Sequence, residues 1–166
     1  MKVQRQQTST GPLGGIARRN PHRMGRAGVS NMKSRVFVIE DHPLMRRSLV
    51  DAIERETDLM VCGQAEDAQV AFAAVVSLRP DIVLTDIQLK SSSGLDFLKA
   101  IRAHDPELLV VATTMFDVRR TERMALAAGA SAFVAKQDGP AKLIEVVRDS
   151  LKKDKARNEG ETPEGK

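Results

Sequence analysis

Five short, almost uninterrupted apolar runs punctuate this chain: Val36-Phe37-Val38-Ile39, Leu59 to Gly63, Ile82-Val83-Leu84, Leu108 to Ala112, and Ala132 to Ala135. A run with no polar alternation reads as a strand buried on both faces, which is the signature of a parallel sheet. Between and after these runs lie segments of helical period. Pro43 opens the first, with Met45, Leu49, Ala52 and Ile53 in line. Asp67 to Leu78 is the second, stopped before Pro80; Gly94 to His104 is the third, closed by Asp105-Pro106. Val118 to Ala128 follows, ending at Gly129, and Pro140 opens a last helix through Leu151. Strand and helix thus alternate five times with short connections. The expected architecture is α/β: a doubly wound, parallel, five-stranded (βα)5 sheet with helices on both faces.

In such a sheet, chemistry collects beyond the carboxyl ends of the strands. Four of the runs end on reactive groups: Glu40-Asp41, Asp86, Thr113-Thr114 and Lys136. Asp86 is expected to be presented at its strand end rather than buried. Carboxylates crowded on one edge repel one another unless a cation joins them. Hard oxygen donors of this kind suit Mg²⁺. A metal so held suits a phosphoryl group, with Lys136 and a threonine hydroxyl holding its oxygens and an aspartate as the attacking carboxylate. Singly, each residue has a plainer use: Glu40 and Asp41 as helix caps, Lys136 as a surface lysine, the threonines as strand residues. The weight lies in their recurrence at one strand end after another.

The 166 residues suit one ordinary domain, and the absence of Trp and Tyr leaves an aliphatic core. The single Cys62 excludes an internal disulfide and fits a reducing cytoplasm. No apolar run approaches the roughly 20 residues of a membrane span, so no membrane partner is expected. The basic balance is local. Residues 1–35 hold eight of the 26 basic residues and no acid, which leaves 18 against 22 acids elsewhere, a net −4. That stretch lacks hydrophobic periodicity and reads as a disordered basic arm, with Met32 as an alternative start just before the first strand. Residues 36–152 form the expected domain, and 153–166 a frayed, charged tail. The acidic body argues against direct DNA binding.

Residues 36–152 resemble the receiver domain of bacterial two-component response regulators, nearest to the NarL/FixJ branch. The resemblance rests on Val36-Phe37-Val38-Ile39-Glu40-Asp41-His42-Pro43, on Asp81-Ile82-Val83-Leu84-Thr85-Asp86-Ile87, and on the run from Ala127 to Lys136. It implies a flavodoxin-like receiver fold with Asp86 as phosphoacceptor, Thr114 rather than Thr113 as the switch hydroxyl, and Lys136 as the invariant lysine. It also implies Mg²⁺ held by Asp41, Asp86 and the Gln88 carbonyl, with Glu40 acting mostly through water. Phe133 falls on the rotating aromatic, and Gln88 and Phe116 on positions that set the lifetime of the acyl phosphate. Two departures stand out: Lys90 where many relatives have proline, and Gln137 where many have proline after the lysine.

The function implied is acceptance of a phosphoryl group from a histidine kinase or histidine phosphotransfer protein. Output would pass to a downstream protein through the last two helices and the strand between them. Stretches outside 36–152 are each shorter than the smallest usual domain of about 50 residues, so a stand-alone receiver is expected. The alternative is a phosphate-independent binding module, but such receivers usually lose an acid or the lysine. An enzyme on other substrates is not expected. A dehalogenase-type phosphatase wants a second Asp where Gln88 stands, and a dinucleotide enzyme wants a Gly-rich turn where Glu40-Asp41-His42-Pro43 stands.

Overall fold

In the computed structural model residues 32–160 are described. The basic arm expected over 1–35 lies outside them as far as residue 31, as does the tail from 161 onward. Helices and strands alternate throughout: β1 (Ser34–Ile39), α1 (Pro43–Glu54), β2 (Leu59–Ala65), α2 (Ala68–Leu78), β3 (Ile82–Asp86), α3 (Gly94–His104), β4 (Leu109–Thr114), α4 (Val118–Ala127), β5 (Ala132–Ala135) and α5 (Gly139–Gly160). One sheet holds all five strands, in the order β2-β1-β3-β4-β5. Every neighbouring pair is parallel.

Strand pleating divides the apolar residues between two cores. Phe37 and Ile39 of β1, with Val83, Val110 and Ala112, face α2, α3 and α4 through Ala71, Val75, Phe97, Leu98, Ile101 and Ala125. Val36 and Val38, with Ile82, Leu84, Val111 and Val134, face α1 and α5 through Leu49, Ile53, Leu143, Ile144 and Val147. Two helices therefore cover one face and three the other. β3 is buried at every position, which accounts for the unbroken run from Ile82 to Leu84.

Local sequence fixes the helix starts. His42 caps α1, its Nδ1 accepting the Met45 N–H at 3.4 Å, with Pro43 at the first helical position. Since His42 takes this role, Glu40 and Asp41 are left for other work. Asp67 caps α2 by accepting from Gln69 and Val70, both at 2.9 Å, and Ser93 caps α3 through Asp96. α4 differs: Asp117 before it sits at φ 42 and makes no side-chain cap.

The strands run further than their apolar cores suggest. β1 starts at Ser34, inside the stretch read as arm; Arg35 N–H donates to Asp81 Oδ2 at 2.8 Å and its guanidinium to Leu78 O at 2.7 Å. β4 continues to Thr114, paired with Ala135. Ladder bonds belong to the backbone, so polar side chains do not end them. Of the expected tail, residues 153–160 are helical, and 161–166 lie outside the described residues. α5 continues through residue 160, its later turns carried by buried Leu151 and by Arg157 beside Asp154 and Glu107.

Candidate functional site

The site lies where β1 and β3 part at their carboxyl ends. β1 delivers the chain to α1 on one face of the sheet and β3 delivers it to α3 on the other, so a crevice opens between adjacent strands. Glu40 and Asp41 follow β1 directly, and Asp86 is the last residue of β3. One carboxylate oxygen from each lies within 4.8 Å of the others.

Lys136, immediately after β5, reaches across into this group. Its Nζ lies 2.5 Å from Glu40 Oε2 and 2.5 Å from Asp86 Oδ2. All three side chains are at least nine-tenths buried. Burying charges is costly unless they are paired, and a single ammonium here serves two acids. Glu40 is further held by the His42 N–H at 3.2 Å on Oε1. Arg46 of α1 donates to the Glu40 backbone carbonyl at 2.6 Å. Glu40 thus meets Lys136 directly while one of its oxygens stays within reach of Asp41 and Asp86.

Asp86 is not presented as its strand-end position suggested. It is buried, at 6% exposure, because the loop after β3 folds back over it. Gln88 N–H donates to its Oδ1 at 2.9 Å, Gly94 N–H donates to Ile87 O at 3.1 Å, and Gln88 pairs with Ser93 across the loop. Gly94 makes this possible: a Cβ there would lie 2.1 Å from the Asp86 carbonyl oxygen. Sequence reading missed Gly94 as a site residue; its signal was a glycine directly after three serines at a helix start. Ser92 was missed as well. Its hydroxyl accepts the Ala68 N–H at 2.9 Å and ties the same loop to α2.

Asp41 is only half-buried and accepts the Lys90 N–H on Oδ2 at 2.6 Å. No basic side chain among the described residues pairs with it. Three hard oxygen donors close together, one of them without a cation of its own, fit a small divalent ion such as Mg²⁺.

Thr114 is fully buried, and its hydroxyl is engaged locally: it donates to Phe116 O at 3.1 Å and accepts from Phe116 N at 3.3 Å. Thr113 instead donates to Thr85 O, away from that turn, at 3.3 Å. Phe133 is partly buried against the α2–α4 core. Phe116 is 68% exposed and Gln88 is exposed too.

Residues 36–148 match the family model described as "Response regulator receiver domain". The chain is 31% identical over 124 residues to the nitrate/nitrite response regulator protein NarP of Escherichia coli, covering 75% of this chain and 58% of that one. It is 38% identical over 108 residues to a protein-glutamate methylesterase/protein-glutamine glutaminase of Anaeromyxobacter dehalogenans, covering 64% of this chain and 31% of that one. The chain therefore spans just over half the length of the curated nitrate/nitrite regulators it matches. Among solved structures, a LuxR-family two-component response regulator from Aurantimonas superposes with a TM-score of 0.69 at 30% identity, covering 72% of this chain and 85% of the other. The family match covers residues 36–148, more than half of the chain, and this chain belongs to the response regulator receiver family of two-component systems.

Proposed function

We propose that Asp86 accepts a phosphoryl group from the phosphohistidine of a kinase or phosphotransfer protein, in a cytoplasmic two-component pathway. The observation that carries this reading is the buried contact of one lysine with Asp86 and Glu40 beside the half-open Asp41. In the transfer, a carboxylate oxygen of Asp86 forms the new P–O bond as the P–N bond to the donor imidazole breaks, and the imidazole leaves with the bonding pair and takes up a proton. Lys136 moves from pairing carboxylates to pairing phosphoryl oxygens, so its charge is never left alone. Glu40 keeps the ammonium aimed at the reacting oxygen. Asp41 and Asp86, with the Gln88 carbonyl, would hold Mg²⁺, which when bound neutralises charge on the phosphoryl oxygens.

The new group gives the Thr114 hydroxyl a stronger acceptor than Phe116 O. A population shift needs this kind of differential contact, and Phe133 beside the core is positioned to follow it. Gln88 and Phe116, exposed at the mouth, would govern access of water to the acyl phosphate. Output would leave through the face of α4, β5 and α5, where β5 is a sheet edge and Met124 and Leu126 are exposed on α4.

Incubation with acetyl phosphate or a phosphoramidate and Mg²⁺ should add one phosphoryl group to the chain, and Asp86→Asn should abolish it. Equal labelling of wild type and variant in intact-mass spectra would overturn the assignment.

A further inference from the structure

We propose that the backbone amide of Lys90 positions Asp41 as a metal ligand, a role this chain can fill because residue 90 is not proline. The inference rests on the Mg²⁺ reading of the acid cluster. Two amides of one loop, two residues apart, serve two acids on neighbouring strands: Gln88 N–H meets Asp86 Oδ1 at 2.9 Å and Lys90 N–H meets Asp41 Oδ2 at 2.6 Å. The second bond is short, as expected where the acceptor is ionised. Lys136 holds Glu40 and Asp86, so the Lys90 amide does for Asp41 what the ammonium does for the other two.

With Oδ2 fixed, the remaining oxygen of Asp41 is free for a cation and its carboxylate plane is set. Hydrogen-bonded partners of ligating carboxylates are worth about 10- to 100-fold in metal affinity. The Lys90 side chain is exposed, so the amide and not the ammonium carries the effect. Proline at this position would have no N–H to give. The loop is itself anchored, since Ser92 Oγ accepts from Ala68 at the start of α2 and Gln88 pairs with Ser93. The amide is therefore held in place before any metal arrives.

The test is Mg²⁺ affinity of the full chain by calorimetry, since there is no Trp or Tyr to report by fluorescence. Wild type is compared with Lys90→Ala, Lys90→Pro, and a chain in which the peptide N–H of residue 90 is replaced by an ester oxygen. The ester removes the donor without the constraint of a prolyl ring and keeps the test valid if Lys90→Pro fails to fold. Lys90→Ala should bind within about twofold of wild type, and the ester and proline chains about tenfold more weakly or worse. In NMR spectra the Lys90 amide proton should resonate downfield and lose that shift in Asp41→Asn. Wild-type affinity in the ester chain, or equal weakening in Lys90→Ala, would overturn the role of the amide alone. A wild-type chain that bound no Mg²⁺ would overturn the metal reading, and this inference with it.

Discussion

Lys136 is the residue on which the resting site balances. Its ammonium is the shared partner of Glu40 and Asp86 at 2.5 Å, in a place where solvent cannot substitute for it. Removing one member of a buried ion pair leaves the rest uncompensated and costs about 3–5 kcal/mol. Lys136→Met should therefore lower stability to urea by about that amount as well as slowing phosphorylation. A variant with an unchanged denaturation midpoint would show that the two carboxylates are satisfied without the lysine. Arg46 adds a quieter contribution at the same scale, since its bond to the Glu40 carbonyl keeps the end of β1 in register with α1.

At the scale of elements, α4 and α5 are fastened in different ways. α4 begins without a side-chain cap and after a residue in left-handed conformation. Its first turn is held by Thr121, whose buried hydroxyl donates to Phe116 O at 3.3 Å, the same carbonyl that receives Thr114. The Thr114 hydroxyl and the helix thus meet on one acceptor. Thr121→Val should cost about 1 kcal/mol and weaken the dependence of partner binding on phosphorylation; unaltered dependence would remove Thr121 from the path. α5 is fastened by Arg148, which meets Asp58 and Glu56 beyond the end of α1 at 2.6 and 2.5 Å. The hydrogen bond from Arg148 holds the Asp58 carboxyl below its ordinary value of 3.8. A depressed folded-state value means a contribution present at neutral pH and lost as pH falls through it. Arg148→Gln should accordingly lose about 1 kcal/mol or less at pH 7, after solvent screening of these half-exposed groups. Its deficit should vanish below the ordinary aspartate range. A deficit that persisted in strong acid would place its origin in packing rather than in charge.

For the whole molecule, the sheet is a partition with the reactive edge at one end. Parallel strands bring Glu40, Asp41, Asp86, Thr114 and Lys136 to the same edge although they span residues 40 to 136. Binding at that edge is consequently linked to global stability. Mg²⁺ at roughly tenfold its Kd should add about 1.4 kcal/mol to the unfolding free energy, visible as a rise in melting temperature. Asp41→Asn should abolish most of the rise while leaving the metal-free melt close to wild type. A rise of equal size in that variant would mean that the ion acts elsewhere.

Sequence alone determined the alternation of strand and helix, because a strand buried on both faces must be apolar throughout and a helix on a sheet must repeat its apolar face. It also determined which groups stand at the strand ends, since Asp86 follows the run Ile82 to Leu84 with only Thr85 between, and Lys136 comes directly after the run ending at Ala135. Tertiary structure decided the rest. Burial of Asp86 depends on a loop folding back over it, and that return depends on the missing side chain of Gly94. Release of Glu40 and Asp41 from capping depended on His42, a residue that seldom caps a helix, taking the first turn of α1. Contact of the Lys90 amide with Asp41 joins residues 49 positions apart, and it uses a backbone group that every residue except proline carries. Residue types announce what a side chain can do, but a backbone amide has no letter of its own, and only the folded chain shows where it points.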